Sequence, residues 1–235
     1  MRIPVWKVTS QKKGSSRAVY FPKEPTKLKI DNQDTELHTA LKIAYPGTLD
    51  KYNHSGRLLG EHQNKIESDP SAQYHSILRP TEKDGEFETN ENGVLAPVIN
   101  SDNRNSNHWI EFGRVSKLKD FRPLTKTKDF KNGISHEEFY DAINSQWRAA
   151  HGDLRDESES TEKLLSHPLV KNTISAIHDI GVHPVDFITS NMGVWTHPIT
   201  SKKHIVISDY GYSNEIARHY MNARKLKYQT MNSKN

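Results

Sequence analysis

The hydrophobic pattern of this chain changes its period part-way along, and that change limits the folds open to it. In the first hundred-odd residues, apolar and β-branched residues alternate in short runs, at Arg2–Val8, Ser16–Phe21, Leu37–Tyr45, Gly93–Ile99 and His108–Val115. Runs of period two predict strands. One helix interrupts them. Ser55 is a suitable N-cap, Leu58, Leu59, His62 and Ile66 share a face, and Pro70 predicts a stop, so this helix covers about 56–68.

Further on the period becomes that of helices. Ser135 and Glu138 form a capping box, Phe139, Ile143 and Trp147 recur every fourth residue, and Gly152 supplies a stop. Asp153–Glu162 reads as a charged linker. Pro168 then opens a helix whose stripe of Leu169, Thr173, Ile174, Ile177 and Ile180 ends at Gly181. Short strands at Met192–Trp195 and His204–Ser208 predict a hairpin, and Asn214–Tyr228 a final amphipathic helix. The polar stretches Thr81–Asn92 and Asn100–Asn107 read as exposed turns. Strands first and helices afterwards imply an α+β chain. Its 235 residues allow two lobes around a cleft, with 1–115 as the strand-rich N-lobe and 116–235 as a reduced helical C-lobe.

Composition removes several function classes. The chain has no Cys, which excludes disulfides, thiolate metal sites and a Cys nucleophile and fits a reducing cytoplasm. No run approaches the roughly 18 apolar residues of a membrane span, and the start lacks a signal-peptide core, so a soluble cytoplasmic protein without a membrane partner is expected. A net charge of +4 tolerates nucleic acid, yet no basic run of five occurs and no nucleic-acid motif is present. The 13 His include no metal-hydrolase spacing, since His178 and His183 are five apart across a helix end.

The chemistry-bearing pattern lies late in the chain. Asp186 and Asn191 are separated by four residues on a loop between a capped helix and a strand. The next strand runs into Asp209-Tyr210-Gly211. Helix, loop with Asp and Asn, hairpin, then Asp-aromatic-Gly is the order that resembles the protein-kinase-like superfamily. Upstream, Thr39-Ala40-Leu41-Lys42-Ile43 resembles the kinase Val-Ala-Ile-Lys strand, and Glu61, on the helix of the N-terminal half, is the candidate partner of Lys42, with Glu67 the alternative. A Lys on an apolar strand needs such a carboxylate, because an unpaired buried charge is expensive.

The resemblance implies a two-lobed kinase fold that binds ATP and Mg²⁺. Asp186, Lys42 and Glu61 would be catalytic, and Asn191 and Asp209 would hold the metal. Gly14, Ser15 and Ser16 would cradle phosphate together with Lys42, and the backbone near Glu111 and Phe112 would bind adenine. The pattern departs from the family in having one Gly in the phosphate loop, His183 three residues before Asp186, Ile188 where a Lys is usual, and only a short stretch after Gly211. Such economy resembles compact, atypical and phage-encoded serine/threonine kinases, which would act in the host cytoplasm on a protein substrate without activation-loop control. A pseudokinase-type binding or structural protein and a small-molecule kinase are the competing expectations. Oligomeric state has no signature in the sequence.

Overall fold

The computed structural model describes residues 8–13, 17–44, 56–102, 109–119, 121–150 and 159–218. A hairpin of β1 (Val8–Lys13) and β2 (Arg17–Pro22) comes first. A second hairpin follows, β3 (Thr26–Ile30) and β4 (Gln33–Leu37), whose turn residues Asp31 and Asn32 both have positive φ, at 50° and 65°. Asp and Asn tolerate that conformation, which matches the twist of paired strands.

Next come β5 (Thr39–Ala44), α1 (Gly56–Glu67), α2 (Pro70–Tyr74), β6 (Leu78–Pro80), β7 (Glu86–Thr89), β8 (Val98–Asp102), β9 (Trp109–Gly113) and β10 (Ser116–Lys117). The remainder is α3 (His136–Ala150), α4 (Glu159–Leu165), α5 (Pro168–Ile180), β11 (Met192–Thr196) and β12 (Lys203–Ile207), with short 3₁₀ turns at Arg122–Thr125, Pro184–Asp186 and Thr189–Asn191. The architecture is α+β, as the change of period implies.

The strands form three sheets. A five-stranded antiparallel sheet has the order β1-β2-β5-β9-β8, a four-stranded sheet the order β4-β3-β7-β6, and β10-β11-β12 make the third. The inner strands β5 and β9 are buried along nearly their whole length, which suits their mostly apolar residues, with Lys42 and Glu111 as buried charged exceptions. Apolar side chains gather in two clusters. One is built on Ile30, Leu37, Phe87, Ile110, Trp195 and Val206, and the other on Ile134, Phe139, Ile143, Val170, Ile177 and Phe187. The segment Val94–Ala96 joins the regions, because Leu95 bridges both Ser76 and Ile207.

The helix signals hold where their residues are described. Ser135 and Glu138 cap α3 reciprocally, each backbone N–H donating to the other's side chain. His167 caps α5 through Nδ1, and Gly181 ends that helix in the left-handed conformation at φ 65°. The helix expected to stop before Pro70 does so, and Pro70 has a second role. Asp69 accepts from Ser71 N at 2.9 Å, so Pro70 opens α2 after α1 has ended at Glu67.

Other boundaries move. The strand expected at Gly93–Ile99 lies instead at Val98–Asp102 and takes in the first residues of the expected turn Asn100–Asn107, the acidic stretch Thr81–Asn92 contains β7, and the charged linker runs into α4. Ser55, Gly152 and most of the strand expected at Arg2–Val8 lie outside the described residues, and the final helix is described as far as Arg218.

Candidate functional site

Strand alternation builds the site from β2 and β5. On β2, Arg17, Val19 and Phe21 are spaced by two and so face one way. On β5, Ala40 and Lys42 do the same. The two strands are antiparallel with Val19 opposite Lys42 and Arg17 opposite Ala44, so a charged end and an apolar end develop along one sheet face.

The charged end is a buried ion cluster. Lys42 Nζ donates to Glu67 Oε1 and Oε2 at 3.0 and 2.9 Å, and Arg17 donates to the same two oxygens at 3.0 and 2.8 Å. Glu67 is 1% exposed, so both cations offset a desolvation cost that would otherwise be severe. Tyr210 N adds a bond to Glu67 Oε1 at 3.2 Å, and the Tyr210 hydroxyl donates to the Glu67 carbonyl at 3.1 Å. Burial first, and then the Glu67 charge, raise the Tyr210 phenol well above its ordinary value, so it stays a donor. Asn64 Oδ1 accepts from Arg17 Nη1 at 3.0 Å.

Asp209 borders this cluster. Arg17 Nη2 contacts its Oδ1, Lys42 Nζ is 3.8 Å from the same oxygen, and Lys42 also donates to the carbonyl of Ser208. Burial pushes the Asp209 carboxyl upward, but the charges of Lys42 and Arg17 outweigh it and hold the group at about 2. Gly211 follows at van der Waals range of α1. A Cβ there would lie 2.6 Å from Gln63 Cα, so close approach of the chain to the helix, with no turn at positive φ, is what requires this glycine.

A cavity of about 610 Å³ opens beside the cluster. Val19, Phe21, Ala40, Phe112 and Met192 form its apolar part, and Lys42, Asn191, Ser208 and Asp209 its polar end. Such a volume lies within the usual range for small-molecule sites, and its split character suits a ligand with a flat apolar group and an anionic tail. Ser208 N and Oγ both donate to the Asn191 carbonyl, at 2.8 and 3.1 Å, which ties the backbones bearing Asn191 and Asp209 together. A carboxylate and an amide oxygen are hard donors that fit Mg²⁺, which takes one or two carboxylates and completes its shell with water and phosphate.

Several assignments made from sequence change. The partner of Lys42 is Glu67, and Glu61, about 120° away around the helix axis, lies on another face of α1. The backbones of Glu111 and Phe112 are paired on both sides, to β5 and to β8, so they do not offer an edge to adenine. Phe112 contributes its ring to the cavity wall, 4.8 Å from Lys42 Nζ. The Glu111 side chain faces the other way and accepts from Thr26 and Thr39 at 2.6 and 2.7 Å. Val115, Ser116 and Lys117 reach the cavity instead.

Asp186 ends the turn after α5, where Phe187 N donates to the Pro184 carbonyl at 2.9 Å and the fully buried Phe187 ring anchors the loop. The structure describes the backbone of Asp186. His183 accepts from Val185 N at 3.1 Å and caps that turn. The candidate phosphate loop Gly14, Ser15 and Ser16 lies outside the described residues, between strands paired as far as Lys13 and Ala18. Arg17, Asn64 and the Tyr210 backbone are site groups that sequence reasoning missed. For Arg17 a signal existed in its two-residue spacing from Val19.

The chain matches no protein-family model, and no curated protein shows significant sequence similarity to it. Among the described residues, no helix is long and apolar enough to cross a membrane.

Proposed function

We propose that this protein is an ATP- and Mg²⁺-dependent phosphotransferase with a compact, two-lobed protein-kinase-like fold, acting on a serine or threonine hydroxyl of a protein. The observation that carries this reading is the convergence of Lys42 and Asp209 at the polar end of a cavity whose other end is apolar, with the buried Glu67 holding Lys42 from behind. These three come from a central strand, a helix and the end of a hairpin, separated by up to 167 residues between Lys42 and Asp209. Adenine would lie between Val19, Ala40, Phe112 and Met192, with its edge toward Val115 and Lys117. Phosphates would extend toward Lys42 and Asp209.

In the reaction, the acceptor hydroxyl oxygen attacks the γ-phosphorus, the bond to the β,γ-bridging oxygen breaks, and ADP leaves. Asp186 would orient the hydroxyl and accept its proton. Asn191 and Asp209 would hold Mg²⁺, which neutralises phosphate charge when bound. Such transfer depends on positioning and electrostatics more than on covalent help, and this site offers both. The five-stranded order β1-β2-β5-β9-β8, with the helix α1 following the lysine strand, supports the same reading.

One observation favours a second reading. Arg17 already engages the carboxylate assigned to the metal, as in a protein that holds nucleotide without transferring it. Incubation with γ-labelled ATP, Mg²⁺ and a cell lysate, beside Asp186→Ala, separates the two. Label transferred by the unaltered protein alone supports the enzyme, and nucleotide binding without transfer supports the binding protein. Failure to bind any nucleotide defeats both.

A further inference from the structure

Arg17 is the unexpected member of the ion cluster. Its guanidinium is held from three directions, by both oxygens of Glu67 and by Asn64 Oδ1, so it is a fixed part of the site. Its Nη2 meets Asp209 at Oδ1, the oxygen that Lys42 also approaches. Yet the Asp209 side chain is 39% exposed and lines the cavity. One oxygen of the carboxylate therefore belongs to the protein's own cations, while the side chain remains part-exposed to the cavity.

We propose that Arg17 is a positioning residue that limits this site to a single divalent ion. The inference rests on the phosphotransferase reading. With Oδ1 committed to Arg17 and Lys42, Asp209 offers one oxygen, which takes one ion together with Asn191 and the nucleotide phosphates. Bridging of two ions by both carboxylate oxygens is blocked. A second divalent cation would also face two fixed positive charges within a few ångströms of its ligand, and that repulsion is strong away from bulk water. Arg17 thus does part of the charge neutralisation that a second ion would otherwise supply.

The test is a count of bound ions by Mn²⁺ titration, with free Mn²⁺ read by its electron paramagnetic resonance signal, in the presence of the non-hydrolysable β,γ-imido analogue of ATP. The unaltered protein is expected to bind one ion per chain. Arg17→Gln leaves Oδ1 with only the 3.8 Å approach of Lys42, and it should admit a second ion or tighten the first by about tenfold, the direction set by removing a like charge beside the site. Arg17→Lys should move the same way to a smaller extent, because one ammonium cannot hold both Glu67 oxygens and Asp209. It carries the comparison if Arg17→Gln does not fold.

Two ions bound by the unaltered protein overturn the inference. So does a count and affinity unchanged in whichever variant folds. If the analogue neither binds nor recruits Mn²⁺, the phosphotransferase reading fails and takes the inference with it. Binding of the analogue with two ions removes only the role of Arg17.

Discussion

Lys42 Nζ lies 3.0 and 2.9 Å from the two carboxylate oxygens of Glu67, and Arg17 holds the same two oxygens from the other side. One buried anion thus serves two buried cations, which makes its removal unlike the removal of either cation. Glu67→Ala should cost about 3–5 kcal/mol, because Arg17 and Lys42 both lose their buried carboxylate and keep only the part-exposed Asp209. Glu61→Ala, on a different side of α1, should cost about 1 kcal/mol or less. Urea denaturation of the two variants checks the order, and equal losses would contradict the assigned pair.

Lys42→Met tests the same cluster from the opposite side. Glu67 keeps Arg17 and Tyr210 N as partners, and Met retains the apolar stem volume, so stability should fall by only about 1–2 kcal/mol. Phosphoryl transfer should fall by about a hundredfold or more, since the lost ammonium is the one that borders the cavity. A stable variant with full activity would remove Lys42 from the phosphate site.

Asp209 makes stability depend on pH in a defined window. Its carboxyl is held at about 2 in the folded state against an ordinary 3.8, the charges of Lys42 and Arg17 prevailing over burial. A depressed folded value means that the stabilisation is complete above the unfolded value and is lost as pH falls through the folded one. The contribution should therefore be full above about pH 4 to 5 and vanish near pH 2, amounting to about 1–2 kcal/mol once solvent screening of this part-exposed group is counted. Denaturation at pH 5 and pH 3 should show a steeper loss for the unaltered protein than for Asp209→Asn. Parallel losses would mean that Asp209 is not the titrating group.

The helical second half of the molecule was readable in the sequence because its elements carry strong local signals. A capping box at Ser135, a proline opening α5, and a left-handed glycine at Gly181 act within a few residues, and each holds in the structure. The hairpin of β3 and β4 is harder to read. Only Leu28, Ile30 and Leu37 of its ten residues are buried apolar side chains, so its outer face looks like loop. Pairing across long separations was the least legible feature. That Arg17 and Lys42 share Glu67 depends on how far α1 is rotated against the sheet, and no local pattern encodes that rotation.

Gly211 tests how closely the Asp-Tyr-Gly segment must dock on α1. A methyl group there would meet both Cα and Cβ of Gln63 at 2.6 Å, and the helix backbone cannot yield as a flexible side chain would. Gly211→Ala should destabilise by about 1–3 kcal/mol, the usual range for overpacking. It should also weaken nucleotide binding, since displacement of this segment moves Asp209. Thermal melts with and without Mg²⁺ and the imido analogue read both effects. A variant as stable as the parent would show that the segment has room the structure denies it.

The division of labour between Asp186 and Asp209 is the sharpest test of the proposed chemistry. Asp209 follows β12 and lines the cavity beside Lys42, where an ion bridging phosphates would sit. Asp186 ends the turn after α5 and belongs to the acceptor side in the proposed mechanism. Asp209→Asn removes the anion from the metal site while the cations Arg17 and Lys42 remain, so Mg²⁺-dependent nucleotide affinity should drop about tenfold or more along with transfer. Asp186→Asn keeps a hydrogen-bonding group of the same shape but loses the base. Nucleotide affinity should stay within about twofold, and transfer should fall by about 10²–10⁴. Calorimetric titration of Mg-ATP into each variant, alongside single-turnover transfer, separates the roles. Loss of nucleotide binding in Asp186→Asn with retention in Asp209→Asn would reverse the assignment, because the carboxylate that binding depends on is the one that holds the metal.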